Sequence, residues 1–295
     1  MRVVLAGASG LIGTSLRKSL NADGHAVATL VRRDPSGPDE DRWEPSRGLL
    51  DPNFLDGVDA VVCLSGVGLG DHRWTEEYKK QIVSSRVDSV ATIARTLTGV
   101  DGPRVLIAAS AVGYYGDTGE READETAPRG AGFLAELCQD WEAATRPAED
   151  AGIRVAHLRT GLVLSADGGL LKRLKPIVQL GVGGRLGGGR QFMPWISLAD
   201  EIGAIRFVLE REVSGPVNLT GPDPVRNAEL IATLARLLHR PAIVPTPGFA
   251  LRIVLGEFAR DILTGQRAVP TKLLDAGFIH QHADVESALR WALGR

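Results

Sequence analysis

Cysteine is scarce in this chain. Cys63 and Cys138 are the only two in 295 residues, they lie far apart, and neither belongs to a C-x-x-C pattern. A disulfide framework and a thiolate metal site are thereby excluded, and two unpaired thiols fit a reducing cytoplasm. An excess of charge is lacking too: 34 Lys+Arg stand against 36 Asp+Glu, a formal net charge of −2, with no lysine-rich block. Nucleic acid is therefore not an expected partner. No apolar run approaches the length that crosses a bilayer, and the N-terminus lacks the charged start and long apolar core of a signal peptide. The expectation is a soluble cytoplasmic protein with no membrane partner. His280 and His282 form an H-x-H without a companion ligand cluster, so no metal is expected. No internal repeat is visible.

What the chain does have is an ordinary globular balance, 44% hydrophobic and 24% charged, over a length that suits one large α/β domain or one with a smaller partner. Its organising stretch is the first sixteen residues, MRVVLAGASGLIGTSL. A short apolar strand (Val3–Ala6) meets a turn carrying Gly7, Gly10 and Gly13, and a helical pattern starts at Leu11, Ile12 and Leu16. Strand, glycine turn and helix in succession make a nucleotide-binding unit. Gly7 permits a tight turn, Gly10 a close approach of backbone to a pyrophosphate, and Gly13 close packing of helix on strand. The helix start offers free N–H groups and a positive dipole end to phosphates. The spacing is G-x-x-G-x-x-G, not the commoner G-x-G-x-x-G.

Strand 2 reads as His25–Val31 and ends in Arg32–Arg33. An acidic residue there would accept from the ribose hydroxyls of NAD, whereas a basic pair suits a 2′-phosphate. NADP(H) is therefore preferred over NAD, against the alternative of a solvated charge pair. Pro35 should turn Asp34 away from the strand end. After a weakly patterned segment with a short strand around Trp43, Val58–Leu64 is a buried-type strand closing in Ser65–Gly66. A long helix from about Thr75 to Leu97 follows, with Gln81 and Arg86 beside its apolar stripe. Val105–Ala109 runs into Ser110-Ala111-Val112-Gly113-Tyr114-Tyr115-Gly116, where a substrate hydroxyl or carbonyl would be held. Phe133–Thr145 is helical, its end marked by Pro147, and Ile153–Leu158 is a further strand leading to Val163.

This alternation predicts a Rossmann-type doubly wound parallel sheet over residues 1–165, with a return segment at about 198–220. Residues 166–197 and 221–295 are expected to form a small, mostly helical substrate or cap region. Within it, GVGGRLGGGRQFMPWI carries Arg185 and Arg190 among six glycines. That loop reads either as an anion-binding element beside the nicotinamide, with Arg185 and Arg190 as substrate-binding residues, or as a tight crossing between domains. Asn227 is placed as the cap of a helix running to Leu238.

With these residues laid out, the chain resembles the extended short-chain dehydrogenase/reductase superfamily of the nucleotide-sugar epimerase type. Within it, the chain is similar to an atypical "epimerase family" group. That group sometimes carries a cell-division-inhibitor label in bacteria and has a human NADP-binding relative. The segments carrying the resemblance are AGASGLIG, RWTEEYKKQIVSSR, SAVGYYG, WEAA, LRTGLVLSADGGLL, GVGGRLGGGRQFMPWISLAD and VLGEFARDILTGQRAVPTKLLDAGF. It implies cofactor contacts at Gly7, Ser9, Gly10, Leu11, Ile12 and Gly13, and at Arg32 and Arg33. Further along it implies Leu64, Ser65, Gly66, Gln81, Arg86 and Val163. Ser110 falls where such proteins hold a substrate-binding serine, and Asp200 where they keep a carboxylate at a helix start.

One departure stands out. The family's Tyr-x-x-x-Lys dyad, in which lysine lowers the tyrosine pKa, has no counterpart in GFLAELCQDWE. Alignment on Glu142 puts Leu134 and Cys138 in those places, and sliding by one puts Phe133 and Leu137 there. Tyr114 or Tyr115 then becomes the replacement acid, or one of them packs under the cofactor. The resulting expectation is an NADP(H)-dependent oxidoreductase or epimerase on a small carbonyl or hydroxyl substrate, sugar-like molecules included. The alternative is a non-catalytic NADPH sensor. A homodimer is the candidate assembly. Nothing in the residues themselves supports the cell-division label.

Overall fold

The computed structural model describes all 295 residues. Seven strands make the central sheet: β1 (Arg2–Ala6), β2 (Ala26–Val31), β3 (Glu40–Arg42), β4 (Ala60–Cys63), β5 (Val105–Ala111), β6 (Arg154–Thr160) and β7 (Gly215–Leu219). They lie in the order β7-β6-β5-β4-β1-β2-β3, every pair parallel. This is the doubly wound sheet expected from the alternation of elements.

The apolar runs explain the layers. Successive side chains of a strand point to opposite faces. Val3 and Leu5 of β1 join one buried cluster with Leu16 and Leu20 of α1 (Leu11–Ala22) and Ile202 and Ile205 of α5 (Leu198–Glu210). Val4 and Ala6 join the other, with Val90, Ile93 and Leu97 of α2 (Glu76–Leu97). Because both faces are covered, β4 throughout and β1 from Val3 onward are apolar rather than alternating. A third cluster gathers Leu171 and Val178 of α4 (Gly169–Gln179), Leu230 and Leu234 of α6 (Asn227–Leu237), and Leu289 of α9 (Val285–Leu293) around Trp195. Between α6 and α9 lie α7 (Gly248–Leu255) and α8 (Phe258–Leu263).

Helix boundaries follow local chemistry. The Thr75 side chain accepts from the Tyr78 N–H, and Glu76 and Glu77 occupy the positive first turn of α2. Two expected boundaries are corrected. The helix α3 (Phe133–Ala143) ends before Pro147, which opens a second short helix, Arg146–Asp150. Proline fits the first turn, where its missing N–H costs nothing. Asn227 does not cap α6 but is its first residue. Its amide oxygen instead accepts from the Leu186 N–H at 2.8 Å, pinning the glycine-rich loop.

Candidate functional site

The glycine turn has the geometry of a phosphate cradle. Gly7 is left-handed, φ +84°, and a Cβ there would sit 2.7 Å from the Leu64 carbonyl. At Gly13 a Cβ would lie 2.2 Å from the Gly7 oxygen, so helix and strand touch backbone to backbone. Gly10 is different: a Cβ would meet only the Gly7 oxygen, at 3.5 Å, so its outer side is open. Gly10 is also the N-cap of α1 and supplies no side-chain acceptor. The first-turn amides of Leu11, Ile12 and Gly13 find no protein acceptor. They are free donors at the positive end of a 12-residue helix. Ser9 is exposed at the rim of the same turn.

Arg32 and Arg33 stand at the end of β2, and the structure separates their roles. Arg33 is bound bidentately by Glu40, both contacts 2.7 Å; that bond and the Ser36 donors hold the Glu40 carboxyl down to about 2. Asp34 is exposed and pairs with Arg42 of β3 at 2.9 Å. Arg32 is exposed and carries no ion pair or side-chain hydrogen bond, the free cation of the two.

Across the cradle, the segment after β4 is held by Arg86. Arg86 is buried, 8% exposed. Its guanidinium donates to the Val67 carbonyl at 2.8 Å and the Ile82 carbonyl at 3.1 Å, and it lies against the place where a Gly66 Cβ would project. From this position it braces the Leu64–Gly66 strap. Gln81 is exposed on α2. Val163 lies in a short strand, Leu162–Leu164, paired with Trp195–Ser197.

At the β5 end the chain builds a buried polar network that its spacing did not reveal. Ser110 donates to Glu142 at 2.7 Å. Glu142 in turn receives two bonds from Arg159, both 2.8 Å. Arg159 also donates to the Tyr115 hydroxyl at 3.0 Å, which donates onward to Asn218 at 2.7 Å. Burial opposes the Arg159 charge, but the paired Glu142 more than offsets it, so the guanidinium stays charged. Tyr115 is thereby corrected as a candidate acid. It is 1% exposed, both sides of its oxygen are used, and burial pushes it up to about 12. Tyr114 is half-buried, with the Arg159 guanidinium 3.5 Å from its ring centre. On α3, Leu134 and Cys138 are the side chains nearest Gly113.

A cavity of about 100 Å³ opens beside this network, between Gly116–Asp117, Gly132–Phe133 and the cap residues Arg260 and Asp261. Asp261, pushed up to about 6 by burial, was not singled out from sequence, since a lone carboxylate in GEFARDIL carries no local signal. The cap is fastened there by Phe258 stacked on Trp74 at 4.9 Å and by Lys79 with Glu257 at 3.1 Å. Arg185 and Arg190 lie elsewhere. Arg185 lines an apolar hollow with Ala228, Ile231 and Ile243, while Arg190 is exposed and its carbonyl accepts from Arg226. Around them the glycines are closely packed: a Gly184 Cβ would lie 2.2 Å from the Val244 oxygen. The loop is a tight crossing.

The model of the NAD-dependent epimerase/dehydratase family matches residues 3–220. The chain belongs to that family. Residues 246–292, which include α7 and α8, match a further family described only as a domain of unknown function. An epimerase family protein of Mycobacterium bovis is 46% identical over 99% of this chain and 98% of its own length. The human epimerase family protein SDR39U1 is 34% identical, with 98% and 99% covered. A crystal structure of its isoform 2 with NADPH superimposes with a TM-score of 0.92 at 32% identity, covering 100% and 99% of the two chains. A nucleoside-diphosphate sugar epimerase of Corynebacterium glutamicum superimposes at 0.83 with 33% identity, over 58% of that longer chain. Family membership and the resemblance inferred from sequence therefore agree. No helix is long and apolar enough to cross a membrane, and no cluster of potential metal ligands is present.

Proposed function

We infer that this protein binds NADP(H) and acts as an oxidoreductase or epimerase on a small carbonyl or hydroxyl substrate, sugar-like molecules among them. The observation that carries the reading is the pairing of an open cradle at Gly10–Gly13 with an unpartnered Arg32 at the end of β2. A 2′-phosphate meets a cation there, and no carboxylate is free to hold NAD's ribose. The NADPH named for the human relative supports the same choice.

When bound, the nicotinamide supplies hydride transfer; the chain supplies position and protons. The Leu64–Gly66 strap, held by Arg86, closes one side of the cofactor cleft. Ser110 gives its proton to Glu142, which leaves its oxygen as an acceptor toward a substrate hydroxyl. In place of Tyr and Lys, α3 carries Leu134 and Cys138, so the usual acid is replaced. Tyr114 is the tyrosine left for that role, beside the Arg159 charge. Arg185 and Arg190 line neither the Phe133–Asp261 cavity nor the cradle, and this mechanism gives them no role. The cavity at Phe133 and Asp261 is the substrate position.

Calorimetric titration with NADPH and NADH, followed by a carbonyl panel read by NADPH absorbance, tests this. Turnover that falls in Tyr114→Phe and Ser110→Ala supports it. A specific observation favours a second reading, a non-catalytic NADPH sensor: apolar Leu134 and Cys138 face the strand end. Tight NADPH binding with no hydride loss across the panel would select the sensor, and absence of nucleotide binding would reject both.

A further inference from the structure

The charges of the chain are unevenly distributed in a way its net value hides. Residues 168–190 and 236–256 contain no aspartate or glutamate and together hold eight Lys and Arg. The remainder of the chain holds 26 Lys and Arg against 36 Asp and Glu. The two segments are neighbours in space. Arg240 donates to the Gln179 carbonyl at 2.8 Å, the Thr246 N–H to the Arg185 carbonyl at 2.9 Å, and the Gly187 N–H to the Thr246 carbonyl at 2.8 Å. Of the eight cations, Arg173 and Arg236 are paired, with Asp71 and Glu286. Lys172, Lys175, Arg185, Arg190, Arg240 and Arg252 have no carboxylate within ion-pair distance.

The same two segments also expose apolar side chains. Of the thirteen exposed large hydrophobics in the molecule, eight lie here. Leu180 is 78% exposed and Val182 53% at the end of α4, and Ile243 77% in the loop after α6. On α7, Phe249, Ile253 and Val254 are 65–68% exposed, with Arg252 between them, and the helix buries none of its residues. An apolar helix left on a surface, with Arg252 among its exposed apolar side chains and two acid-free segments beside each other in the fold, is out of place against water. It matches the boundary of a bilayer, where apolar side chains enter the acyl region while Lys and Arg meet anionic headgroups.

We propose that the face formed by the α4 end, the 240–247 loop and α7 docks on an anionic lipid surface. The contact is peripheral and requires no spanning segment. A second copy of the chain fits poorly, because a twofold contact through this face would set the same cations against one another. A complementary charge is required of the partner, and the lipid headgroup provides it over a broad, unshaped area. The exposed apolar residues of this face, on the α4 end, the 240–247 loop and α7, are none of the cradle residues Gly7–Gly13.

The test is co-sedimentation of the full-length protein with phosphatidylcholine vesicles, with and without phosphatidylglycerol. The expected result is at least tenfold more bound protein on the anionic vesicles, falling as salt rises. Phe249→Glu/Ile253→Glu and, independently, Lys172→Glu/Lys175→Glu should each abolish that preference while leaving NADPH affinity and circular dichroism unchanged. Equal binding to both vesicle types, or no binding to either, overturns the proposal. So does wild-type binding that both double variants retain. A dimer by sedimentation velocity that Phe249→Glu/Ile253→Glu dissociates would assign the face to a second copy instead.

Discussion

Replacing Arg32 by alanine removes the only unpartnered cation at the end of β2, and its neighbour is not equipped to compensate. Arg33 lies in the same exposed dipeptide but is already committed to Glu40 through two 2.7 Å bonds. It also donates to the Asp34 carbonyl at 2.8 Å. To meet a phosphate it would have to share or leave those partners, whereas Arg32 leaves nothing. A hydrogen bond to a charged group contributes about 1.5–3 kcal/mol, and solvent at this exposed position takes the lower end. The expected loss of NADPH affinity in Arg32→Ala is therefore roughly tenfold, about 1.4 kcal/mol. NADH, which has no 2′-phosphate, should bind with unchanged affinity. Arg33→Ala should lose less for NADPH, and Glu40→Gln should raise NADPH affinity by freeing Arg33. Calorimetry of the four proteins with both nucleotides measures all of this. Equal losses for NADPH and NADH in Arg32→Ala, or a larger effect from Arg33→Ala, would refute the division of roles between the two arginines.

Other outcomes follow from the buried groups. Glu201 is fully buried, one of its oxygens has no partner, and burial pushes its carboxyl up to about 8. Its contribution to stability is complete below the unfolded value near 4.5 and is lost as pH rises through about 8. Glu201→Gln should flatten the decline in Tm between pH 5 and pH 8; an unchanged decline would show that the carboxyl is not titrating there. Glu142→Ala strands the Arg159 charge in the interior and should cost about 3–5 kcal/mol in urea unfolding, while Ser110→Ala, which leaves the ion pair intact, should cost far less. Burial pushes the thiols of Cys63 and Cys138 up to about 11 and about 12, so iodoacetamide should label neither until denaturant is added. Gly13→Ala places a methyl 2.2 Å from the Gly7 oxygen and should abolish nucleotide binding along with a large part of the stability, seen by calorimetry and thermal melting.

The cradle was legible because all its parts are local. Gly7, Gly10 and Gly13 sit within one strand-turn-helix; Gly7 makes the left-handed turn and Gly13 the close helix–strand contact their positions suggested, and Gly10 is open on its outer side. The end of β2 was half legible: two arginines marked a cationic site, but Glu40, seven residues past Arg33 and on the neighbouring strand, decided which one is free. Tyr115 looked like an acid because it follows Ser110, and became a core residue because Asn218, 103 positions away, accepts its proton. Arg86 stood beside an apolar stripe and read as a reaching side chain. The fold turned it onto the Val67 carbonyl.

By itself, then, the amino-acid sequence determined the layers and the cradle. Hydrophobic period and glycine conformational freedom act over a few neighbouring residues and need no knowledge of the rest of the chain. Only the tertiary structure decided which polar groups are spent and which are free. Hydrogen bonds and ion pairs act over a few ångströms, and the partners of Ser110, Arg159 and Arg240 come from 32, 17 and 61 residues away. The same holds for the face around α7, where two acid-free segments that are unremarkable singly become one cationic, apolar surface once the fold sets them side by side.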